Sequence, residues 1–192
     1  MTKGNRKKAR TIKIVAVGPK NVGKTTLLVA YRNGKCPEYL PLIYNTTPIP
    51  GDLNDKPYEL CLCDTPGGEE YKRLRPLSYF HSDVFILLFD VTADDDRIEE
   101  IHSYYYVEIN RYWPNAPIIL VGSKIDLRDK EGTKTITTEK GQALAKQIGA
   151  AKYMEISTLD YRGVAELFQE VIILGFGHSS SRGKIKKKCT IL

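Results

Sequence analysis

The sequence contains no apolar run that approaches the ~20 residues needed to span a bilayer. Its basic N-terminus, MTKGNRKKAR, lacks the apolar segment of a secretory signal. Cysteine is scarce, and the four cysteines, at positions 36, 61, 63 and 189, form no disulfide or zinc spacing. These absences argue against a secreted disulfide scaffold and a membrane-spanning protein, and they predict a cytosolic one.

Acidic residues are missing from both ends of the chain, although the net charge of the whole is only +6. Residues 1–10 hold five basic residues and no acid, and residues 179–192 hold another five and no acid. Without these ten charges the body of the chain carries −4. The positive charge therefore lies in two tails, and we expect no nucleic-acid-binding face on the domain.

The body of the chain alternates apolar strands with helical patterns. A length of 192 residues, 42% hydrophobic and 27% charged, suits one soluble globular domain. Continuous apolar runs indicate strands buried on both faces, and the alternation predicts a three-layer α/β fold with a mostly parallel sheet. The predicted strands are 11–18, 58–63, 84–91, 117–122 and 152–156, and the predicted helices are 24–33, 70–80, 95–112, 138–149 and 161–176.

The charge pattern divides the chain into three parts. Residues 1–10 are predicted to form a disordered basic extension, residues 11–178 the globular domain, and residues 179–192 a polybasic tail.

The segment GPKNVGKT, residues 18–25, matches G-x-x-x-x-G-K-[ST] at every fixed position and lies between a predicted strand and a predicted helix. Its glycines allow backbone N–H groups to converge on phosphate, and the helix N-terminus adds partial positive charge. Lys24 is predicted to reach the β- and γ-phosphates, and the Thr25 hydroxyl is predicted to bind Mg²⁺.

The segment GSKID, residues 122–126, ends another predicted strand and supplies candidate base-binding residues. The Asp126 carboxylate can accept hydrogen bonds from N1–H and from the exocyclic amine of guanine, whereas adenine offers neither donor in that geometry. Lys124 would lie beside the same base. The segment EIST, 155–158, also follows a strand and could offer backbone N–H groups to the guanine carbonyl oxygen. The predicted ligand is a guanine nucleotide.

Asp64 begins the segment DTPGGEEYKRLRPLSY, residues 64–79, directly after a predicted strand. A carboxylate in this position is predicted to hold Mg²⁺ through water. The residue after Gly67 stands where a nucleotide switch places the group that aligns the hydrolytic water. Here that residue is Gly68, which has no side chain, so no intact catalytic residue is predicted.

Together these segments resemble the Ras superfamily of small GTPases. RLRPLSY (73–79), PNAPIILVGSKIDLRD (114–129), GQALAKQIGAAKY (141–153) and the CaaX-like end narrow the resemblance to the Rho/Rac family. The resemblance implies a P-loop fold with a six-stranded, mostly parallel sheet and helices on both faces. It also implies a monomer that binds GTP or GDP with Mg²⁺, hydrolyses GTP slowly and signals to the actin cytoskeleton.

The motifs and the resemblance indicate three groups of site residues. The nucleotide-binding group is Gly18, Lys20, Asn21, Val22, Gly23, Lys24, Thr25, Thr26, Cys36, Gly67, Lys124, Asp126, Ser157, Thr158 and Leu159. The metal-binding group is Thr25 and Asp64, and the switch segment that would meet effectors is Tyr39, Leu40, Pro41, Leu42, Ile43 and Tyr44. The implied protein partners are effectors, exchange factors and a GDP-dissociation inhibitor.

The sequence departs from the family pattern at five positions. Gly68 replaces the water-positioning Gln, Lys20 replaces a P-loop Gly, and Pro66 replaces the Ala of DTAG. Leu42 aligns with the switch Thr that binds Mg²⁺ and γ-phosphate, and Cys36 aligns with the aromatic that packs on the guanine edge. The short helical insertion of Rho proteins is also absent, since eleven residues separate Asp126 from Thr138.

These departures predict slow hydrolysis and altered exchange. Loss of the Gln removes the group that orients the attacking water, and a side chain at position 20 would crowd an arginine finger. The Lys20 ammonium would favour GTP if it reaches the γ-phosphate, or it points outward into solvent. Leu42 weakens closure of the switch segment over GTP, and Cys36 loses packing on the base, which would speed nucleotide release.

The C-terminus, KIKKKCTIL, ends in a C-a-a-X pattern with Leu last, which predicts geranylgeranylation of Cys189. The preceding lysines would supply a second signal for an anionic membrane. The protein is therefore expected on the cytoplasmic face of membranes, the plasma membrane first, and in the cytosol when extracted.

Two other hypotheses remain open. One is a nucleotide-indifferent scaffold that keeps the fold and binds partners, motivated by Leu42 and Cys36. The other is an ordinary GTPase that positions its water through another group, such as Glu69 or Glu70.

Overall fold

The computed structural model describes residues 8–40, 46–128, 130 and 132–182, and these residues form one six-stranded sheet flanked by helices. The spatial order of the strands is β2-β3-β1-β4-β5-β6. β2 pairs antiparallel with β3, and every other pair is parallel. The strands are β1 (Arg10–Val17), β2 (Ile49–Leu53), β3 (Lys56–Cys63), β4 (Val84–Asp90), β5 (Ile118–Ser123) and β6 (Lys152–Glu155). The predicted α/β fold is confirmed.

In the described ranges, five α-helices flank the sheet. They are α1 (Lys24–Asn33), α2 (Asp95–Glu100), α3 (Val107–Tyr112), α4 (Thr138–Gln147) and α5 (Val164–Arg182). A π-helical segment, Ile101–Tyr106, joins α2 to α3 without a break, so the three form one long rod. Short 3₁₀ helices lie at Glu69–Tyr71, Arg75–Tyr79 and Ile125–Leu127.

The sheet separates two hydrophobic cores, because successive side chains of a strand point to opposite faces. In β1, Ile12 and Ile14 pack with α1 and α5, whereas Val15 and Val17 pack with α2, α3 and α4. Every residue of β5 is buried, as expected for a central parallel strand covered on both faces.

The secondary structure differs from the prediction at three places. The strand β2 was not among the predicted strands; it is short, half-exposed along its length and contains Pro50, so it lacks the continuous apolar run of a central strand. The helix predicted over 70–80 is two 3₁₀ segments, since Pro76 removes a backbone donor. The helix α5 continues to Arg182, past the predicted end at 176, because each added residue gains a backbone hydrogen bond once a helix is nucleated.

The start of β1 and the second half of α5 lie side by side. A Cβ atom on Gly175 would lie 2.4 Å from the Ile12 Cγ2 atom, so glycine permits this close approach. The Arg10 guanidinium donates to the Phe176 carbonyl oxygen at 2.8 Å and lies 4.9 Å from the centre of the Phe176 ring. The start of β1 is therefore tied to the second half of α5.

Several predictions fall outside the described residues, namely those for Pro41, Leu42, Ile43, Tyr44 and Cys189. The division into extension, domain and tail likewise stays a prediction. Within the described ranges, no helix combines the length and the hydrophobicity that a membrane crossing requires.

Candidate nucleotide-binding site

The carboxyl ends of the parallel strands meet at one edge of the sheet, which is where ligands bind in folds of this class. Gly18 follows β1 and Asp64 follows β3, while β4 ends at Asp90 and β5 ends at Ser123. The phosphate motif and the base motif, more than ninety residues apart in sequence, therefore come to the same edge.

Two glycines shape the loop between β1 and α1. Gly18 has φ +144°, and a Cβ atom there would lie 2.3 Å from the Leu88 carbonyl oxygen, so the loop can cross β4 only with glycine. Gly23 has φ +92° and immediately precedes α1. The loop consequently returns onto the N-terminus of α1, where unpaired backbone N–H groups favour an anion.

Lys24, the first residue of α1, is only 6% exposed. Its Nζ atom donates to the carbonyl oxygens of Gly18 at 2.8 Å and Pro19 at 2.6 Å. Burial lowers the pKa of Lys24 to about 8, although the nearby Asp64 carboxylate opposes this shift. The ammonium is thus held inside the loop, at the position from which it can bind phosphate.

Thr25 and Asp64 together fit a magnesium ion. The Thr25 hydroxyl donates to Asp64 Oδ2 at 2.5 Å, and Asp64 Oδ1 is buried without a hydrogen-bond partner among the described residues. A buried carboxylate oxygen left in this way needs a donor or a cation. Hydroxyl and carboxylate oxygens are the ligands that Mg²⁺ prefers, and the ion keeps several waters and binds nucleotide phosphates. Thr25 would bind the ion directly and Asp64 through water.

The base end of the site is built on β5. The Ser123 Oγ atom lies 2.8 Å from the carbonyl oxygens of both Val22 and Phe89, which ties the end of β5 to the phosphate loop and to β4. Lys124 follows in the left-handed conformation, φ +63°, and its Nζ atom lies 2.6 Å from Asp90 Oδ2.

Asp126 is oriented by a buried serine. Ser157, fully buried after β6, donates its hydroxyl to Asp126 Oδ1 at 2.7 Å. This contact fixes the carboxylate that is predicted to read guanine. The next turn is anchored as well, because Arg128 donates to both carboxylate oxygens of Glu155 on β6, at 2.5 and 2.7 Å. Burial alone would raise the pKa of Glu155, but hydrogen bonds from Arg128 and Tyr153 hold it below its usual value.

These groups surround one cavity of about 940 Å³, which is the size of a small-molecule site. All the predicted nucleotide-binding residues line it except Gly18 and Ser157, which hold Lys24 and Asp126 from behind. Cys36 lines the wall, and Lys20 lines the cavity beside Lys24. Of the predicted switch residues that are described, Leu40 lines the cavity, whereas Tyr39 is 87% exposed and does not.

The model of the Ras family matches residues 13–174 of the chain. The chain belongs to the Ras family. The matched residues include both loops of the cavity and the whole six-stranded sheet from Lys13 onward. The protein is accordingly a small GTP-binding protein, and members of this family bind guanine nucleotide, typically with Mg²⁺.

In this Ras-family protein, the segment after Asp64 is held against the phosphate loop. A Cβ atom on Gly67 would lie 2.5 Å from the Lys20 backbone nitrogen and 2.6 Å from Lys24 Nζ, so only glycine fits there. Gly68 lies beside it, and a Cβ atom on Gly68 would lie 2.3 Å from both carboxylate oxygens of Glu70. The place where a water-aligning side chain would begin is thus taken by the end of the Glu70 side chain.

Three successive carbonyl groups of the same segment accept hydrogen bonds from the 3₁₀ helix Arg75–Tyr79 and from the π-helical segment. One guanidinium nitrogen of Arg75 donates to the carbonyl oxygens of Pro66 at 3.0 Å and Gly68 at 3.2 Å. The Tyr105 hydroxyl, from the π-helical segment, donates to the Gly67 carbonyl oxygen at 2.8 Å. The backbone of residues 66–68 is therefore fixed from behind.

Arg75 is itself buried in a polar cluster with Glu108 of α3. The Nε and Nη2 atoms of Arg75 donate to the two Glu108 carboxylate oxygens at 2.8 and 3.0 Å, and the Tyr79 hydroxyl donates to Glu108 at 2.6 Å. Burial, reinforced by the carboxylate, raises the pKa of Tyr79. The cluster is fully hydrogen-bonded at the Glu108 carboxylate, which makes it a rigid support for the backbone of residues 66–68.

Some residues of the site were missed by the sequence reasoning. Ser123, Leu127 and Lys130 line the cavity, and Asp90 binds Lys124 from the adjoining strand. An Asp at the end of a strand was a usable signal, since the same signal identified Asp64. Nothing in the sequence singles out Leu127 or Lys130.

Proposed function

We propose that this Ras-family protein is a Rho-like guanine-nucleotide switch on membranes whose GTP hydrolysis is strongly impaired. The observation that carries the proposal is a contrast between the cavity and the residue beside it. Lys24, Thr25, Asp64 and Asp126 line the cavity, but Gly68, which follows Gly67 in its wall, offers no side chain to a hydrolytic water.

Hydrolysis of a phosphoanhydride depends on positioning and on electrostatic stabilisation, with little covalent chemistry for the protein to do. Mg²⁺, when bound, neutralises charge on the β- and γ-phosphates. Lys24 would hold the phosphates, but no described residue occupies the place of a water-aligning amide next to Gly67. The Glu70 carboxylate lies against Gly68 instead, outside the cavity that would hold the phosphates.

The Rho-like part of the proposal rests on the segments that resemble that family and on the C-terminal pattern. We expect Cys189 to carry a geranylgeranyl group, and the five basic residues in 179–192 to bind anionic lipid. The output would be control of the actin cytoskeleton through effectors, with exchange factors and a GDP-dissociation inhibitor as further partners. Without efficient hydrolysis, the GTP-bound fraction would be set by exchange, abundance and membrane extraction.

The scaffold hypothesis has one structural observation in its favour. The carbonyl groups of residues 66–68 are held by Arg75 and Tyr105, whatever the cavity contains. If this support prevents any nucleotide-dependent rearrangement, a partner would bind GDP-loaded and GTP-loaded protein equally. A clear preference for one nucleotide would exclude the scaffold.

The first experiment is to denature the purified protein and to chromatograph the nucleotide that it releases. Mostly GTP supports the proposed switch, mostly GDP means that hydrolysis survives by another route, and an empty site favours the scaffold. Purification must be rapid and in the presence of Mg²⁺, because Cys36 in the cavity wall is expected to allow fast nucleotide release.

Single-turnover hydrolysis then tests the role of Gly68. Gly68→Gln restores an amide, and only the flexible end of Glu70 must move to make room. We expect the rate to rise roughly tenfold to a hundredfold. Gly68→Ala is the matched control, since it displaces Glu70 without supplying an amide. Equal rates for the Gln and Ala variants would contradict the proposal, as would a wild-type rate that Gly68→Gln does not raise.

A further inference from the structure

Asp90 is the last residue of β4, and its register partner on β5 is Ser123, the residue before Lys124. The side chains of Asp90 and Lys124 are therefore brought together by strand pairing. Asp90 has no part in the motifs that define the nucleotide site, and it does not line the 940 Å³ cavity.

The Asp90 carboxylate is fixed at both oxygens. Oδ1 accepts from the Thr92 backbone N–H at 2.9 Å and from the Thr92 hydroxyl at 2.7 Å. Oδ2 is left for the Lys124 ammonium, which lies 2.6 Å away. Because the turn to Thr92 orients the carboxylate, the lysine meets a preorganised anion and not a mobile surface side chain.

Lys124 needs such a partner. Its backbone is in the left-handed conformation, which is uncommon for a non-glycine residue, and its side chain is about one-third exposed. A lysine side chain loses considerable rotamer freedom when it is ordered. The contact with Asp90 orders the Lys124 side chain when the protein folds. The entropic cost of ordering it is therefore not added when a base binds against the lysine stem.

Charge also favours this arrangement. A smaller cavity of about 280 Å³ adjoins the phosphate loop and is lined by Lys20, Arg97 and Lys124 together with Asp90 and Asp94. Asp94 is engaged at the start of α2, where it accepts from the Arg97 backbone N–H at 2.9 Å. Asp90 is thus the carboxylate that balances Lys124, and its loss would leave Lys124 facing Lys20 across the same cavity.

We propose that Asp90 is a positioning residue for guanine-nucleotide binding, acting through Lys124 by fixing its ammonium so that the lysine stem is held against the base. This inference rests on the proposed nucleotide site. Since the contact lies at the base end, its effect is the same for GDP and for GTP, in contrast to any effect of Lys20 at the phosphate end.

The test measures dissociation of fluorescently labelled GDP and GTP from full-length protein in the presence of Mg²⁺. Asp90→Asn keeps an acceptor for Thr92 but turns an amide donor toward the ammonium. We expect dissociation of both nucleotides to accelerate about tenfold. Asp94→Asn is the matched control: it lines the same small cavity and removes the same charge, but Asn caps a helix as well as Asp does, so the rate is expected to stay within about twofold.

A double-mutant cycle with Lys124→Gln separates positioning from a general structural role. If Asp90 acts through Lys124, then Asp90→Asn adds less than about twofold in the Lys124→Gln background. A tenfold acceleration that persists in that background would overturn the proposal, and so would unchanged dissociation in Asp90→Asn alone. If Asp90→Asn does not fold, Asp90→Ser, which keeps a short acceptor for the Thr92 amide, serves in the same cycle. Wild-type protein that binds no guanine nucleotide at all would instead overturn the proposed function. The binding measurement on the wild type, made before any variant, distinguishes the two failures.

Discussion

Lys24 makes nucleotide binding sensitive to pH. In the nucleotide-free protein, burial lowers its pKa to about 8, so the ammonium begins to lose its proton above that pH. Phosphate favours the charged form and raises the pKa of Lys24 in the complex. Binding therefore takes up a proton when the pH exceeds about 8, and affinity is constant below about pH 7 and falls above pH 8 by up to about tenfold per unit.

Calorimetric titration of GDP, in buffers with different ionisation enthalpies, measures this proton uptake. We expect almost none at pH 7 and a value approaching one proton at pH 9. Lys24→Arg is the control, because a guanidinium stays charged throughout this range and should remove the uptake. Equal uptake in the wild type and in Lys24→Arg would show that another group titrates.

Residues that belong to a motif were predictable one by one. Lys24 and Asp126 were assigned from spacing, because phosphate and guanine each demand one kind of side chain at one place. Asp90 and Arg75 could not be assigned in this way, because their roles depend on contacts between elements: one is made by strand pairing, the other by burial against α3. A sequence shows the side chains but not the neighbours that give them a role.

At the scale of elements, α3 and the 3₁₀ helix Arg75–Tyr79 are joined by the buried pair of Arg75 and Glu108. Breaking one partner of a buried ion pair leaves an uncompensated charge, which costs about 3 kcal/mol or more. We expect Glu108→Gln to lower the free energy of unfolding by about that amount, measured by urea denaturation at a fixed GDP concentration.

The matched control is Glu99→Gln, in α2. Glu99 is largely exposed and lies 3.6 Å from His102, so its replacement should change the free energy of unfolding by about 0.5 kcal/mol or less. Equal stability of the two variants would mean that the buried cluster does not support the fold. The same measurement on Arg75→Lys shows how much of the free energy of unfolding depends on the two parallel hydrogen bonds of the guanidinium, which a lysine cannot form.

Elements with a strong pattern were predicted closely, and those held by tertiary contacts were not. The helix α1 and the central strands have the apolar runs that the fold buries, so their positions followed from the sequence. The strand β2 has no such pattern and exists because β3 offers it an edge. Residues 70–80 have a helical pattern, but Pro76 removes a backbone donor, so two 3₁₀ segments form there instead. Context outweighs propensity in the case of β2.

At the scale of the whole molecule, the contact between Arg10 and Phe176 ties the start of β1 to the second half of α5. The sequence carries five basic residues in each of its two tails, on a body with charge −4. Basic charges in such tails add their attraction to an anionic surface, at about 1 kcal/mol per basic residue close to the lipid. Two such charges correspond to about 2 kcal/mol, so we expect Lys7→Gln with Lys8→Gln to weaken binding of the full-length protein to phosphatidylserine vesicles roughly thirtyfold.

Lys134→Gln with Lys140→Gln is the control, because these lysines line a groove with Thr92 and Ala93, at the carboxyl end of β4 and away from the start of β1. Co-sedimentation with phosphatidylserine vesicles and with phosphatidylcholine vesicles gives the two affinities. An equal loss in both double variants would mean that only net charge matters, and not its placement.

The three carbonyl hydrogen bonds at residues 66–68 have a consequence for how the protein would signal. In a trans peptide the N–H points opposite to the carbonyl, so the amides of Gly67 and Gly68 face away from Arg75 and Tyr105 before any ligand arrives. The direction of these amides is thus fixed in the absence of ligand, and any contact that they make with a nucleotide phosphate would require little rearrangement of residues 66–68. In the proposed switch, the change in shape that partners read would then arise in other segments of the protein, and residues 66–68 would serve as its fixed point.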